Sequence, residues 1–347
     1  MLHVMSLPES SHPAMPSRNR IGRFHITREL GRGVLNTVYL GHDPIADRQV
    51  AIKTFHLELS LQQRRMQERQ LINEARAAGR LSHPHIVTIF EASVEGPETY
   101  LVMEHLEGSA LSTLLSAGRT FEFDVIATIC SKLAGALDHA HRHKVVHRDI
   151  KPANIFMIDG HQPKLVDFGI ARTPNHFAVH VTSADNPNTL FCNNLLGTPN
   201  YMSPEQASGE RVDHRTDIYS LGAVMYQMLT GRTPFDAVET DTLLQLIKHK
   251  IPDQPHKLNA TVPKALSRIA MKAMNKEPDK RYQHAADMML DIKRYLADGK
   301  LTRRRLRMAL SESEVQRRVP YFLTQRSALH LCCAALIGAI AMWLLLH

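Results

Sequence analysis

Cysteine and aromatic residues are both scarce in this sequence. The four cysteines, Cys130, Cys192, Cys332 and Cys333, are spaced neither as a disulfide framework nor as a zinc site, so a reducing compartment is expected. Phe, Trp and Tyr make up only 6% of the chain. That is too few to interleave with basic residues as a stacking surface for single-stranded nucleic acid, and nucleic acid is not expected as a partner. Internal repeats are absent, and the only biased stretch is the Asn-rich segment 186–194. No signal peptide is expected either. Residues 1–20 hold three prolines, four serines and no apolar core, the composition of a flexible leader.

What is present is the material of an ordinary folded protein: 347 residues, 44% apolar and 22% charged, enough for a sizeable buried core. The formal net charge of +8 is concentrated late, with Arg303, Arg304, Arg305, Arg307, Arg317, Arg318 and Arg326 crowding a short stretch. An uncharged run, 328–346, follows it. As a helix, its nineteen residues would reach roughly 28 Å, close to the hydrocarbon thickness of a bilayer. The arginines before it obey the positive-inside rule and would attract lipid headgroups. The expectation is a basic linker over 297–327 and a transmembrane helix over 328–346, with everything before it cytoplasmic. This describes a single-pass, tail-anchored protein of the inner (cytoplasmic) membrane. Ala334 with Gly338 and Ala335 with Ala339 form small-xxx-small pairs through which two such helices would approach, so a homodimer is expected through this helix or through the folded domain before it. Cys332 and Cys333 read as small packing residues of that helix in preference to acylation sites.

Short β-type runs punctuated by glycine occupy Phe24–Arg28, Val38–Gly41 and Val50–Phe55. A helical pattern covers 61–81, apolar at Leu71, Ile72, Ala75, Ala78 and Leu81, and strand-like runs return at Ile86–Phe90 and Tyr100–Met103. From about residue 110 the spacing is helical, over Ile126–His143, Ile218–Thr230, Thr242–Lys248 and Lys264–Met274. A β-rich first third joined to a helical remainder predicts an α+β fold of two lobes.

Gly31, Arg32, Gly33, Val34, Leu35, Asn36, Thr37 and Val38 lie between two strand-like runs. Such glycines make either a tight hairpin or a loop whose backbone N–H groups approach phosphate oxygens closely. Asn36 tolerates left-handed dihedrals and would preserve a turn there. Lys53, on the apolar run Val50–Phe55, is either an edge charge or a cation that needs an anion, with Glu74 on the next helix as its candidate partner.

Two further motifs tilt both choices: His147-Arg148-Asp149-Ile150-Lys151-Pro152-Ala153-Asn154, then Asp167-Phe168-Gly169. Together with the glycine loop and the strand lysine, they make the chain resemble the protein kinases, specifically the eukaryotic-like Ser/Thr kinases of bacteria, over about 24–296. The resemblance implies an N-lobe at 24–106, a C-lobe at 107–296, and ATP with Mg²⁺ (or Mn²⁺) as cofactors. Protein Ser/Thr hydroxyls would be the acceptors. It further implies that Asp149 accepts or orients the hydroxyl proton and that Lys151 neutralises the γ-phosphate, as in Ser/Thr specificity. Asn154 and Asp167 would ligate the metal, and Lys53, held by Glu74, would meet the α/β-phosphates. Met103 resembles the residue guarding the adenine pocket, and Glu104, His105 and Leu106 the hinge beside it. Leu30, Val38 and Ala51 would be the apolar walls.

Downstream, Gly197-Thr198-Pro199-Asn200-Tyr201-Met202-Ser203-Pro204-Glu205 resembles the end of an activation segment, with Ser203 where alanine is commonest. The likeness makes Thr198 a bridge between Asp149 and Lys151, Asp217 a brace of the catalytic loop, and Arg281 the partner of Glu205. Arg148 would pair with a phosphate on Thr182, Ser183 or Thr189, so autophosphorylation is expected. A nucleotide-binding scaffold without transfer would show losses at Lys53, Asp149, Asn154 or Asp167, and all four are kept. His139, His141 and His143 recur at every second position, which gathers them on no single helix face and reads as surface or packing histidines.

Overall fold

The computed structural model describes residues 19–33, 36–55, 72–73, 75–95, 98–168 and 199–299. The chain divides into two units, Met1–Lys293 and Arg294–His347, and all the elements named below belong to the first. In the second, residues 294–299 are helical. The expected spanning run 328–346 lies outside the described residues, and among those described no helix is long and apolar enough to cross a membrane.

Six antiparallel strands form the first sheet: β1 (Arg20–Ile21), β2 (Phe24–Arg32), β3 (Asn36–Asp43), β4 (Arg48–Phe55), β5 (Ile89–Glu95) and β6 (Glu98–Glu104), in the order β1-β2-β3-β4-β6-β5. Side chains alternate across a strand, and β4 uses both of its faces. Val50 and Ile52 join Ile21, Phe24, Tyr100 and Val102 in an apolar cluster. Phe24 meets Tyr100 edge-on, with ring centroids 6.2 Å apart. Ala51 and Lys53 are thereby turned to the opposite face. Composition places Arg20 in the leader, yet it pairs with His25 while Ile21 pairs with Phe24, because the buried Ile21 draws its neighbour into the sheet.

A second correction concerns Ile86–Phe90, where only Ile89 and Phe90 are strand residues of the first sheet. Ile86 instead bridges Leu165, Val87 N–H donates to Leu165 C=O at 2.9 Å, and Leu165 N–H donates to His85 C=O at 2.9 Å. The segment is extended, but its hydrogen bonds go to the other lobe and join the two.

The second lobe contains α1 (Leu111–Ser116), α2 (Phe123–Arg142), α3 (Pro204–Ala207), α4 (Arg215–Thr230), α5 (Thr240–His249), α6 (Pro255–Leu258) and α7 (Lys264–Ala273). α2 buries Ile126, Ile129, Cys130, Leu133 and Leu137 along one face. α4 is buried nearly all round and is the lobe's central helix. At Gly222 a Cβ would come within 2.7 Å of Ala273 Cβ, so a side chain there would push α4 and α7 apart. α4 starts at Arg215, ahead of the expected Ile218, because Asp213 accepts from the Arg215 N–H at 2.8 Å.

Helix periodicity alone missed a small sheet, β7 (Gly108–Ala110), β8 (Ile155–Ile158) and β9 (Gln162–Leu165), in the order β7-β8-β9. Its β8–β9 turn carries Asp159 and Gly160, both with positive φ, as type I′ hairpins require. That Asp-Gly pair was the available signal.

Candidate active site

The loop from His147 to Asn154 sits between α2 and β8, and its backbone is held from below by α4. Asp217, fully buried near the start of α4, accepts from His147 N–H at 2.8 Å and from Arg148 N–H at 2.7 Å. Its Oδ2 also meets His141 Nε2 at 2.8 Å. Burial alone would raise this carboxyl, but the His141 hydrogen bond, charge attraction and backbone donor outweigh it and hold the pKa below the usual range. Arg148 consequently adopts φ 63°, a left-handed conformation that costs a non-glycine residue about 1–3 kcal/mol and persists only where the surroundings enforce it.

His147 is buried and uses both ring nitrogens. Nε2 donates to Val166 C=O at 3.0 Å, and Nδ1 accepts from Asp149 N–H at 3.3 Å. This pattern needs the neutral ring, and burial pushes the pKa down despite the nearby carboxylates. The ring of Phe168 packs on it at 4.6 Å between centroids.

The side chains of this loop converge. The Asp149 carboxylate meets Lys151 Nζ at 2.9 Å and Asn154 Nδ2 at 3.0 Å, and Asn154 Nδ2 also donates to Asp149 C=O at 2.8 Å. Val166 N–H donates to Asn154 C=O at 3.0 Å, which brings the next residue, Asp167, alongside the loop. Asp167 has φ 59° and its Oδ1 accepts from Lys53 Nζ at 2.7 Å. The strand lysine of one lobe is thus paired with a carboxylate of the other.

The donor set fits a hard divalent cation. Asn154 donates through nitrogen to Asp149, leaving its amide oxygen to face a metal, and Asp167 adds carboxylate oxygen.

The glycine loop is a hairpin whose register pairs Gly31 with Val38 and Arg32 with Thr37. Gly33 N–H donates to Asn36 C=O at 2.8 Å, and a Cβ on Gly33 would crowd Asn36 Oδ1 at 3.1 Å. Around Gly31 the space a Cβ would take is open. The expectation for Asn36 is corrected. It has no positive φ and pairs with Phe55 as the first residue of β3, so the strand ladder decides its conformation and the turn needs no left-handed residue there. The Arg32 guanidinium binds Glu29 at 2.7 Å and 3.1 Å, so this contact ties it to its own strand.

Across the sheet, Val38 pairs with Lys53, Leu40 with Ala51, and Ala51 with Met103. Ala51 and Met103 are buried, Val38 and Leu106 are half-buried, and Leu30 is exposed at the edge. The carboxylate of Glu104 is occupied by Lys164 Nζ at 2.6 Å, which leaves its backbone for the expected hinge role. Val34, Leu35, Glu74, Gly169, Thr198 and the hydroxyls at Thr182, Ser183 and Thr189 lie outside the described residues.

Below the loop, Arg281 binds Glu205 through two 2.7 Å contacts, as the sequence suggested. Sequence reading missed three members of the site. His141, expected among the surface or packing histidines, is buried and holds Asp217. Gln206 donates from Nε2 to Arg148 C=O at 2.9 Å. Lys164 secures Glu104. An i, i+6 relation to the loop histidine was a faint signal for His141; the other two carried none.

A family model for the protein kinase domain matches residues 24–292. The chain belongs to the protein kinase family. Among curated proteins, this kinase is 36% identical over 277 residues to a probable serine/threonine-protein kinase of Clostridium acetobutylicum, covering 78% of this chain and 39% of the relative. It is 35% identical over 301 residues to the serine/threonine-protein kinase PrkC of Bacillus subtilis, covering 86% of this chain and 44% of the relative. It is 34% identical over 284 residues to the serine/threonine-protein kinase PknB of Mycolicibacterium smegmatis, with 78% and 42% covered. The kinase therefore spans about two fifths of the length of these relatives. The fold also matches the crystal structure of the Mycobacterium tuberculosis PknI kinase domain, with TM-score 0.62 at 22% identity over 81% of this chain and 99% of that one.

Proposed function

We propose that this kinase transfers the γ-phosphoryl group of ATP to serine and threonine hydroxyls of proteins. The observation that carries the reading is the Asp149 carboxylate, in contact with Lys151 at 2.9 Å and Asn154 at 3.0 Å on a loop clamped by Asp217. Held so, Asp149 orients an acceptor hydroxyl and receives its proton while the oxygen bonds to the γ-phosphorus and the β–γ bridging oxygen leaves with ADP. Lys151 offers a cation to the charge on the group in flight. Lys53 is the cation for the α/β-phosphates. Asn154 and Asp167 would hold Mg²⁺ (or Mn²⁺), which when bound supplies neutralisation of phosphate charge. Serine/threonine specificity is supported by Lys151 beside Asp149 and by the relatives named above.

The same reading extends to regulation and place. Arg148 Nε is buried and, among the described residues, has no hydrogen-bond partner. A phosphate on Thr182, Ser183 or Thr189 would provide one, which supports autophosphorylation of the activation segment. The uncharged run 328–346 behind its arginines supports a membrane-spanning helix there with the catalytic domain on the cytoplasmic side.

The test is transfer from radiolabelled ATP by the purified full chain, with and without a generic basic acceptor protein. Asp149→Asn and Asp167→Asn are each expected to lower transfer more than about tenfold, roughly 1.4 kcal/mol of barrier, with the fold retained. A smaller loss removes these carboxylates from the mechanism. Mass spectrometry after incubation with Mg·ATP should find phosphate on the activation segment, and an unmodified segment in a fully active enzyme refutes that part.

A further inference from the structure

The peptide linking Arg148 to Asp149 is held at both of its polar ends. Its N–H donates to His147 Nδ1 at 3.3 Å, and its C=O accepts from Gln206 Nε2 at 2.9 Å. This peptide unit carries the Cα of Asp149, so its tilt sets where the carboxylate points. One residue earlier, Asp217 holds the Arg148 N–H at 2.7 Å, and Arg148 itself sits at φ 63°. A backbone in that conformation swings away unless its hydrogen bonds enforce it.

The Gln206 amide cannot turn round. Its Oε1 accepts from Ser203 N–H at 3.1 Å and from Ser203 Oγ at 3.3 Å in a reciprocal capping box, which directs the NH₂ group at the Arg148 carbonyl. Ser203 is fully buried, and its hydroxyl lies 2.6 Å from Thr216 Oγ1 at the start of α4. Gln206 itself is 8% exposed. The serine found where alanine would be commoner thus takes part in a chain running from α4 through Ser203 and Gln206 to the peptide that bears Asp149.

We propose that Gln206 is a positioning residue for phosphoryl transfer, aiming Asp149 by holding the Arg148 carbonyl from the end of the activation segment. The inference rests on the kinase reading above and deepens it. It also makes the segment Pro199–Ala207 a mechanical input to the catalytic loop, because a shift of α3 would release the carbonyl.

The experiment uses the full chain and a generic basic acceptor protein. Gln206→Ala is expected to lower kcat about tenfold, as misplaced catalytic groups do. KM for ATP should stay within about twofold, since among the described residues the side-chain hydrogen bonds of Gln206 go to Ser203 and Arg148 and not to Lys53 or the glycine loop. Gln206→Glu keeps an oxygen for Ser203 but, when ionised, cannot donate to the carbonyl. Buried carboxyls take up protons at higher pH than exposed ones, and the protonated acid donates again. The turnover ratio of Gln206→Glu to Gln206→Ala should therefore rise about fivefold from about pH 8 to about pH 5.5. A purely structural residue would not produce that rescue.

The proposal is overturned if Gln206→Ala keeps its kcat, or if the ratio does not change with pH. Should Gln206→Ala fail to fold, Gln206→Glu against wild type over the same pH range carries the test. Wild type that transfers while Asp149→Asn does not, combined with normal Gln206→Ala turnover, defeats this inference alone. Wild type that binds nucleotide and transfers nothing defeats the kinase reading and this inference together.

Discussion

Arg281 reaches its partner across 76 residues of chain and is enclosed completely. Its side chain is 0% exposed and that of Glu205 8% exposed. Besides the two contacts to Glu205, the guanidinium donates to the carbonyls of Asn275 at 2.7 Å, Lys276 at 3.0 Å and Arg215 at 3.3 Å. Five donors with a planar fork make arginine suited to this junction, and lysine would leave several of these acceptors unpaired. Arg281→Ala strands the Glu205 carboxylate in the interior, and breaking such a pair costs about 3–5 kcal/mol. Denaturant unfolding should register that loss. Arg281→Met combined with Glu205→Leu removes both charges and should be milder than Arg281→Ala alone. If the single and double variants are equally destabilised, the stranded charge is not the cause.

At the scale of elements, the loop before β5 joins the lobes through histidine. His85 Nδ1 bonds Pro163 C=O of β9 at 2.8 Å, and the His83 ring lies 5.6 Å from that of His85 and 5.4 Å from that of His139 on α2. The His139 ring is in turn 4.5 Å from that of His143. Burial lowers the pKa of His83, and also those of His85 and His139. Cationic neighbours push the same way: Lys132 and Lys164 near His85, and Arg142 near His139, where Asp138 opposes them. His147 is depressed as well. Each of these groups binds fewer protons folded than unfolded, where its pKa is near 6.5. The stability they contribute is fully present above that value and is lost as pH falls through the folded values. The thermal midpoint should therefore drop between about pH 7.5 and about pH 5.5, and it should drop less steeply in a His83→Gln, His139→Gln double variant. An unchanged slope in that variant would exclude the cluster as the source.

At the scale of the whole molecule, the residues proposed to carry the transfer fall within the first unit, while the basic and uncharged runs fall in the sequence of the second. Deleting residues 327–347 is expected to move the protein from membranes to the soluble fraction. Transfer to a soluble acceptor should change little, since no motif assigned to the reaction lies in that stretch. High salt should leave the intact chain in the membrane, because apolar burial, unlike surface charge, is not screened. Carbonate and salt extraction of membranes checks this, and release by salt alone would mean a surface-bound helix.

Local sequence by itself determined which residues were candidates for the chemistry. Lys53, Asp149, Lys151, Asn154 and Asp167 were legible because each stands in a short motif that resembles the protein kinases, and the structure pairs Lys53 with Asp167 and Asp149 with Lys151 and Asn154. Periodicity also located α2, α4, α5 and α7 to within a few residues, since an apolar stripe repeats along a single helix. Tertiary structure decided the rest. Asn36 became a strand residue because Phe55 lies across from it, and Ile86 left its expected strand because Leu165 bound its neighbours. His141, Gln206 and Lys164 entered the site through contacts spanning 76, 58 and 60 residues of chain. Hydrogen bonds of that reach leave no period and no local spacing in the sequence, because the partner's position is set only when the lobes fold and pack.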